Sequence, residues 1–177
     1  SKPIYFWNDK NNVKYKKSYF SKYKNIWHHG DYAEFTKNEG IIIHGRSDTT
    51  LNSGGVRIGT AEIYRVVENI KEIEECLVTE KILKDDTAIV MFIKIRNNIK
   101  LNKKIIKNIQ KNIKNLLSPK HIPKIILQVK DIPKTKSGKI VELAIKKIIN
   151  GEKVENISSL SNPECLKEYK NRKNLNI

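Results

Sequence analysis

Apolar residues recur at helical spacing in three stretches of this chain. Ile63, Val66, Val67 and Ile70 fall at i, i+3, i+4 and i+7, one face of a helix over 60–69. Thr60, a residue type suited to the N-cap, opens it. Ile105, Ile106, Ile109, Ile113, Leu116 and Leu117 repeat the spacing over 103–117. Ser118-Pro119 ends that helix, because proline disfavours helical geometry in the residue before it. Val141, Ala144, Ile145, Ile148 and Ile149 mark a third helix over 141–150, stopped by Gly151. Between these lie β-rich runs. Residues 76–83 and 88–95 predict a hairpin turning at Lys84-Asp85-Asp86-Thr87, and 125–129 a short strand. Residues 26–35 and 40–45 predict another hairpin around Lys37-Asn38-Glu39-Gly40.

The first 25 residues show no clear period and read as loops with a short helix near 17–23. The tail from Glu152 is polar and reads as a strand of chain over the surface. No internal repeat is visible. The pattern is α+β: a small domain over 49–150, a flanking segment 1–48, and an extension 151–177. A lone two-stranded hairpin is marginal in water, so 1–48 is expected to be part of a larger domain.

Charge changes this picture little. The 177 residues are 38% hydrophobic and 31% charged, with net charge +16. Such a balance invites nucleic-acid binding, but the lysines are scattered instead of gathered into a block. After Tyr64 no aromatics interleave with them as stacking platforms, so no specific nucleic-acid partner is expected. The basic surface would still attract anionic nucleotides. No apolar run is long enough to span a bilayer and no basic-then-apolar leader is present. A cytoplasmic protein with no membrane partner is expected. Ser1 at the start and a single methionine, Met91, imply cleavage or truncation. Cys76 and Cys165 fit no metal-ligand or CxxC spacing and read as reduced thiols; Asn156-Ile157-Ser158 reads as a chance sequon.

Three segments carry little hydrophobic logic. In Trp27-His28-His29-Gly30-Asp31, a carboxylate after glycine can accept hydrogen bonds from vicinal hydroxyls, although Gly-Asp is also an ordinary turn. His28 and His29 read as surface residues, not metal ligands. In GRSDTTLNSGGVRIG (45–59), two arginines suited to phosphate and ribose oxygens bracket a flexible stretch. Gly54 and Gly55 there allow close backbone approach or positive φ. Taken alone, this is an anion or nucleotide loop, or simply a solvated one. PKTKSGK (133–139) has the outline of a phosphate-binding loop but fails it: Ile140 stands where Ser/Thr is required, and Pro133 where glycine is. It leaves an exposed lysine at the end of a Ser-Gly turn.

Together the three segments resemble, in order and approximate spacing, the adenylate-forming superfamily of acyl-CoA synthetases, adenylation domains and luciferases. GRSDTTLNSGGVRIGTAEIY and PKTKSGK are specific to it. Beyond them KPIYFWND, YFSKYKNIWHHGD, SPKHIPKIILQVKDIPKTKSGKIVE and SNPECLKEY resemble its acid–CoA ligases that act on acetoacetate, a short 3-oxo acid. Acetyl- and propionyl-CoA ligases are the nearest competitors, and the extension after Lys139 is the discriminator.

The resemblance implies the superfamily's small mobile C-terminal domain, a short antiparallel sheet with flanking helices, preceded by a hairpin remnant of the large N-terminal domain. It implies a two-step reaction with ATP, as its Mg2+ complex, and CoA as substrates, and no metal site in this chain. Carried over by motif, Lys139 is catalytic in adenylation, Asp31 and Arg46 hold ribose, and Arg57 meets nucleotide phosphate. Asp48 is the hinge, and Gly54 and Gly55 face the pantetheine arm of CoA. Lys114 or Lys120 would meet CoA phosphates, and Lys139 would be open to acetylation. The family's phosphate loop, Tyr-Gly-x-Thr-Glu segment and acid pocket have no counterpart here. The large N-terminal domain is therefore a required partner, and the chain alone is expected to be inactive. Readings from other classes are a stand-alone nucleotide-binding regulatory module and a basic nucleic-acid-binding protein.

Overall fold

The computed structural model describes residues 3–84, 86–96 and 99–175. It divides into two compact units, Ser1–Asp31 and Tyr32–Ile177. In the first, helix α1 (Val13–Phe20) follows a 3-10 turn at Lys10–Asn12. It starts earlier than the 17–23 expected, because the Asp9 carboxylate accepts hydrogen bonds from the amides of Lys14 (2.9 Å) and Tyr15 (2.8 Å). This satisfies N–H groups that a helix start leaves unpaired. Phe6, Tyr15, Tyr19 and Trp27 form a chain of tilted and edge-to-face ring contacts.

The second unit is built on a sheet of order β5-β6-β7, namely Ile73–Ile82, Thr87–Ile95 and Ile125–Val129. The central strand is buried on both faces over residues 88–93, and so it reads there as a continuous apolar run. Cys76, Val78, Ile89, Met91, Ile93 and Ile126 share one core with Ile63, Val66 and Val67 of α2 (Thr60–Val67) and with Ile105, Ile109 and Ile113 of α3 (Lys103–Leu116). Burying each such isoleucine contributes about 1.5–3 kcal/mol, which is why the apolar stripe predicts α3 so well. On the other face Leu77, Val90, Phe92, Leu127 and Val129 pack with Ile145 and Ile149 of α4 (Glu142–Ile149).

Several expectations need correction. The sheet is mixed: β5 and β6 are antiparallel, but β7 runs parallel to β6, because the crossover through α3 returns the chain in the same direction. The tail is no surface wrap. Leu160, Cys165, Leu166, Tyr169 and Leu175 fill the second core, held by 3-10 turns whose irregular spacing hides them from a periodicity search. The first hairpin is β1 (Asp31–Phe35) with β2 (Ile41–Arg46), so residues 26–30 are not strand. The N-cap of α2 is Gly59, with Thr60 buried in its first turn; the Glu62 carboxylate accepts the Gly59 amide at 3.1 Å. The Gly-rich stretch contains an unforeseen hairpin, β3 (Leu51–Ser53) with β4 (Val56–Ile58), turning through Gly54 and Gly55 at positive φ. The β5–β6 turn closes through the Leu83 amide and the Asp86 carbonyl (2.8 Å); Asp85 of the expected turn lies outside the described residues, as does Lys2 of KPIYFWND. Among the described residues no helix is long and apolar enough to cross a membrane.

Candidate functional site

Lys139 ends a tight turn. The Thr135 amide donates to the Lys139 carbonyl (2.8 Å), the Lys139 amide to Thr135 Oγ1 (3.1 Å), and the Gly138 amide to the Thr135 carbonyl (2.9 Å). Gly138 sits at φ +82°, open to glycine at low steric cost. The turn closes a narrow ladder: Lys134 bridges Ile140, and the Val141 amide donates to the Pro133 carbonyl at 3.0 Å. Lys139 is exposed, and its ammonium makes no hydrogen bond or ion pair among the described residues. A fixed backbone thus carries a free cation.

The loop of 45–59 is organised from its two ends. Arg46, at the end of β2, pairs with Asp48 through Nε and Nη2, each 3.3 Å from a carboxylate oxygen. The Arg46 carbonyl accepts from the Thr49 amide (3.2 Å) and from the Thr50 hydroxyl (3.0 Å). At the other end, the β3–β4 hairpin is tied to β5 by Glu80, whose Oε2 accepts the Asn52 amide at 3.0 Å. An added Cβ at Gly54 would lie 2.8 Å from Lys120 Nζ, so that ammonium sits directly over the turn. Arg57 on β4 is exposed, as is Lys114 on α3. Within Tyr32–Ile177, Arg46 and Asp48 come together, as do Gly54, Gly55 and Lys120. No hydrogen bond or ion pair joins Lys139 to either group among the described residues. In the first unit, Asp31 pairs through its carboxylate with His29 Nδ1, and Gly30 before it is at φ +89°. His29 also stands edge-on to Trp27. Among the described residues no cluster of three or more His, Cys, Asp or Glu side chains forms a metal-ligand set.

Sequence reasoning missed the residues that position these groups. Lys146 on α4 lies 2.8 Å from Glu80 Oε1 and reaches the Asp48 carbonyl at 3.4 Å. His44 of β2 sits between Glu34 (3.1 Å) and Glu62 (3.3 Å), and Glu62 also meets His121 (3.2 Å). This polar chain fastens the first hairpin to α2. Asn162 holds the segment before Lys139. None of these carried a local signal, since each meets a partner far away in sequence.

No family model matches the chain. It is 46% identical over 166 residues to the acetoacetyl-coenzyme A synthetase of Rhizobium meliloti (strain 1021), covering 94% of this chain and 26% of that protein. It is 43% identical over 173 residues to the acetoacetyl-CoA synthetase of Xenopus tropicalis, covering 97% and 26%. The solved acetoacetyl-CoA synthetase from Streptomyces lividans superposes with a TM-score of 0.87 at 35% identity, over 95% of this chain and 26% of that one. The chain therefore spans about a quarter of the length of the relatives it matches.

Proposed function

Because this chain is similar along nearly its whole length to about a quarter of the acetoacetyl-CoA synthetases, we propose that it is the part of an ATP-dependent acid–CoA ligase that supplies a catalytic lysine. The reaction is acetoacetate, ATP and CoA to acetoacetyl-CoA, AMP and diphosphate. ATP, with Mg2+ as part of that substrate, and the acid first give an acyl-adenylate and diphosphate. The CoA thiolate then attacks the acyl carbon and AMP leaves. In this reading residues 1–48 complete a large AMP-binding domain, 49–150 are the small mobile domain, and 151–177 are its extension. The hairpin supports the first assignment: Phe35, Ile41 and Ile43 are exposed apolar residues with no cover in the second unit, as suits a surface that continues into more sheet.

Lys139 serves the first step. Negative charge gathers on the carboxylate and α-phosphate as they meet in line, and a positioned ammonium stabilises it. Its exposure, and the lack of a partner for its ammonium among the described residues, leave its charge available, and the Thr135 clasp fixes the backbone from which the side chain reaches. Asp31 takes the ribose hydroxyls, Arg46 the ribose and Arg57 nucleotide phosphate, for which a guanidinium fork is suited. Asp48 is the point about which the small domain turns. Gly54 and Gly55 then present a side-chain-free edge to the pantetheine arm, with Lys120 above Gly54 near the CoA phosphates.

The similarity to the Streptomyces lividans structure across 95% of this chain carries the reading. Its test joins the chain to the large domain of the Rhizobium meliloti synthetase. The hybrid is expected to form acetoacetyl-CoA where the chain alone does not. Lys139→Ala is expected to slow adenylate formation by on the order of 10²-fold or more while thioester formation from supplied adenylate persists. Full adenylation by the alanine variant would end the proposal.

A further inference from the structure

The turn that carries Lys139 is backed by the tail. A ladder joined by a single bridge, Lys134 to Ile140, is too small to hold its own geometry in water. Residues 159–162 line its other side. Thr135 bridges Leu160; the Lys136 amide donates to the Ser159 carbonyl (3.3 Å) and the Ser161 amide to the Lys134 carbonyl (2.9 Å). Asn162 closes the arrangement. Its Oδ1 accepts the Lys134 amide at 2.9 Å, and its Nδ2 donates to the Ile132 carbonyl at 2.9 Å and to the Asp131 carboxylate. One amide orientation alone suits all three, because an N–H faces one end and two acceptors face the other. The tail can act as a fixed support because Leu160, Leu166 and Tyr169 anchor it in the second core.

We propose that Asn162 is a positioning residue for the adenylation step, holding the Lys139 turn in register through the 159–162 segment. The proposal rests on the role given to Lys139 above. It goes beyond that role by assigning the extension a part in the first half-reaction and none in the second. An active-site group must be held to within about 0.5 Å of its productive place, and a misplacement of about 1 Å can cost ~100-fold in rate. A domain that presents Gly54 and Gly55 in the second step makes no such demand on the turn.

The test uses the hybrid enzyme, with the two half-reactions measured separately in Asn162→Ala and Lys139→Ala. Asn162→Ala is expected to slow adenylate formation ~10- to 100-fold and to leave thioester formation from supplied adenylate within about twofold of the parent. Hydrogen exchange at the amides of Lys134, Thr135 and Lys139 is expected to accelerate, with β5 and β6 amides unchanged. If Asn162→Ala does not fold, Ser161→Ala removes only the hydroxyl's bond to the Lys134 carbonyl (3.2 Å). That variant is expected to slow adenylation alone, by about two- to fivefold. Equal slowing of both half-reactions, or none, overturns the proposal. If Lys139→Ala adenylates normally, the role of Lys139 fails instead, and unchanged exchange in Asn162→Ala would separately refute the support.

Discussion

Lys146 Nζ on α4 lies 2.8 Å from Glu80 Oε1 on β5, and the same ammonium reaches the carbonyl oxygen of Asp48 at 3.4 Å. Glu80 is nearly buried for a carboxylate, with its other oxygen on the Asn52 amide. One acidic side chain therefore joins the sheet, the last helix and the Gly-rich hairpin. Sheet and segment 46–48 are linked through the lysine.

Removing Glu80 should expose the cost of that junction. Glu80→Ala leaves a half-buried ammonium and a backbone N–H without their partner, and is expected to destabilise by about 2–4 kcal/mol. Glu80→Gln keeps the acceptor and the volume and should cost less. Urea denaturation monitored by circular dichroism measures both. An alanine variant within about 0.5 kcal/mol of the parent, as for an ordinary surface change, would show that the junction is idle.

Gly59 tests how the first hairpin meets α2. Its φ of −78° suits any residue, so the objection to a side chain there is steric alone. A Cβ would lie 2.3 Å from the His44 carbonyl oxygen and 2.6 Å from the His44 Cβ. Backbone on both sides has little room to yield. Gly59→Ala is expected to cost about 1–3 kcal/mol and to lower Tm by roughly 2–12 °C. Exchange should rise first at the amides of β2. An unchanged melting curve would mean that β2 does not pack on α2 as described.

Cys165 reports whether the tail is core. Burial first, then the carboxylates of Asp131, Glu164 and Glu168, push its thiol up to about 11. An unfolded cysteine ionises near 8.5. Between about pH 8.5 and 11 the unfolded chain has released a proton that the folded chain keeps, so stability falls as pH rises through that window and is complete below it. Cys76 on β5 is shifted in the same direction, chiefly by burial and then by Glu68, Glu142 and Glu75. At pH 9 the native Cys165 should react with iodoacetamide on the order of 10²-fold more slowly than in the urea-unfolded chain. Peptide mapping reads this directly, and equal rates would place the tail outside the core.

Much of this architecture was written in local pattern. Ile105, Ile109 and Ile113 are buried as their spacing predicts, and the strand at 125–129 and the helix ending at Gly151 stand where apolar runs and stop signals put them. The Lys139 turn was legible as a Ser-Gly turn, and the motif residues by resemblance. These features depend on neighbours within a few positions, which is the range over which helix period, strand alternation and turn chemistry act.

What tertiary structure decided lies at long separation. The β3–β4 hairpin has three residues a side, and is held by Leu51 and Ile58 in the first core and by Glu80, 28 positions beyond Asn52, which receives the Asn52 amide. The tail is polar on average, yet five of its apolar residues reach a core that no period announces, since 3-10 turns impose none over so short a run. Asn162 looks like any surface asparagine until the Lys134 amide, 28 residues earlier, is placed on its oxygen. Local pattern could say that a lysine ends a turn. Only the folded chain, by bringing a distant strand of tail against that turn, could say what holds it still.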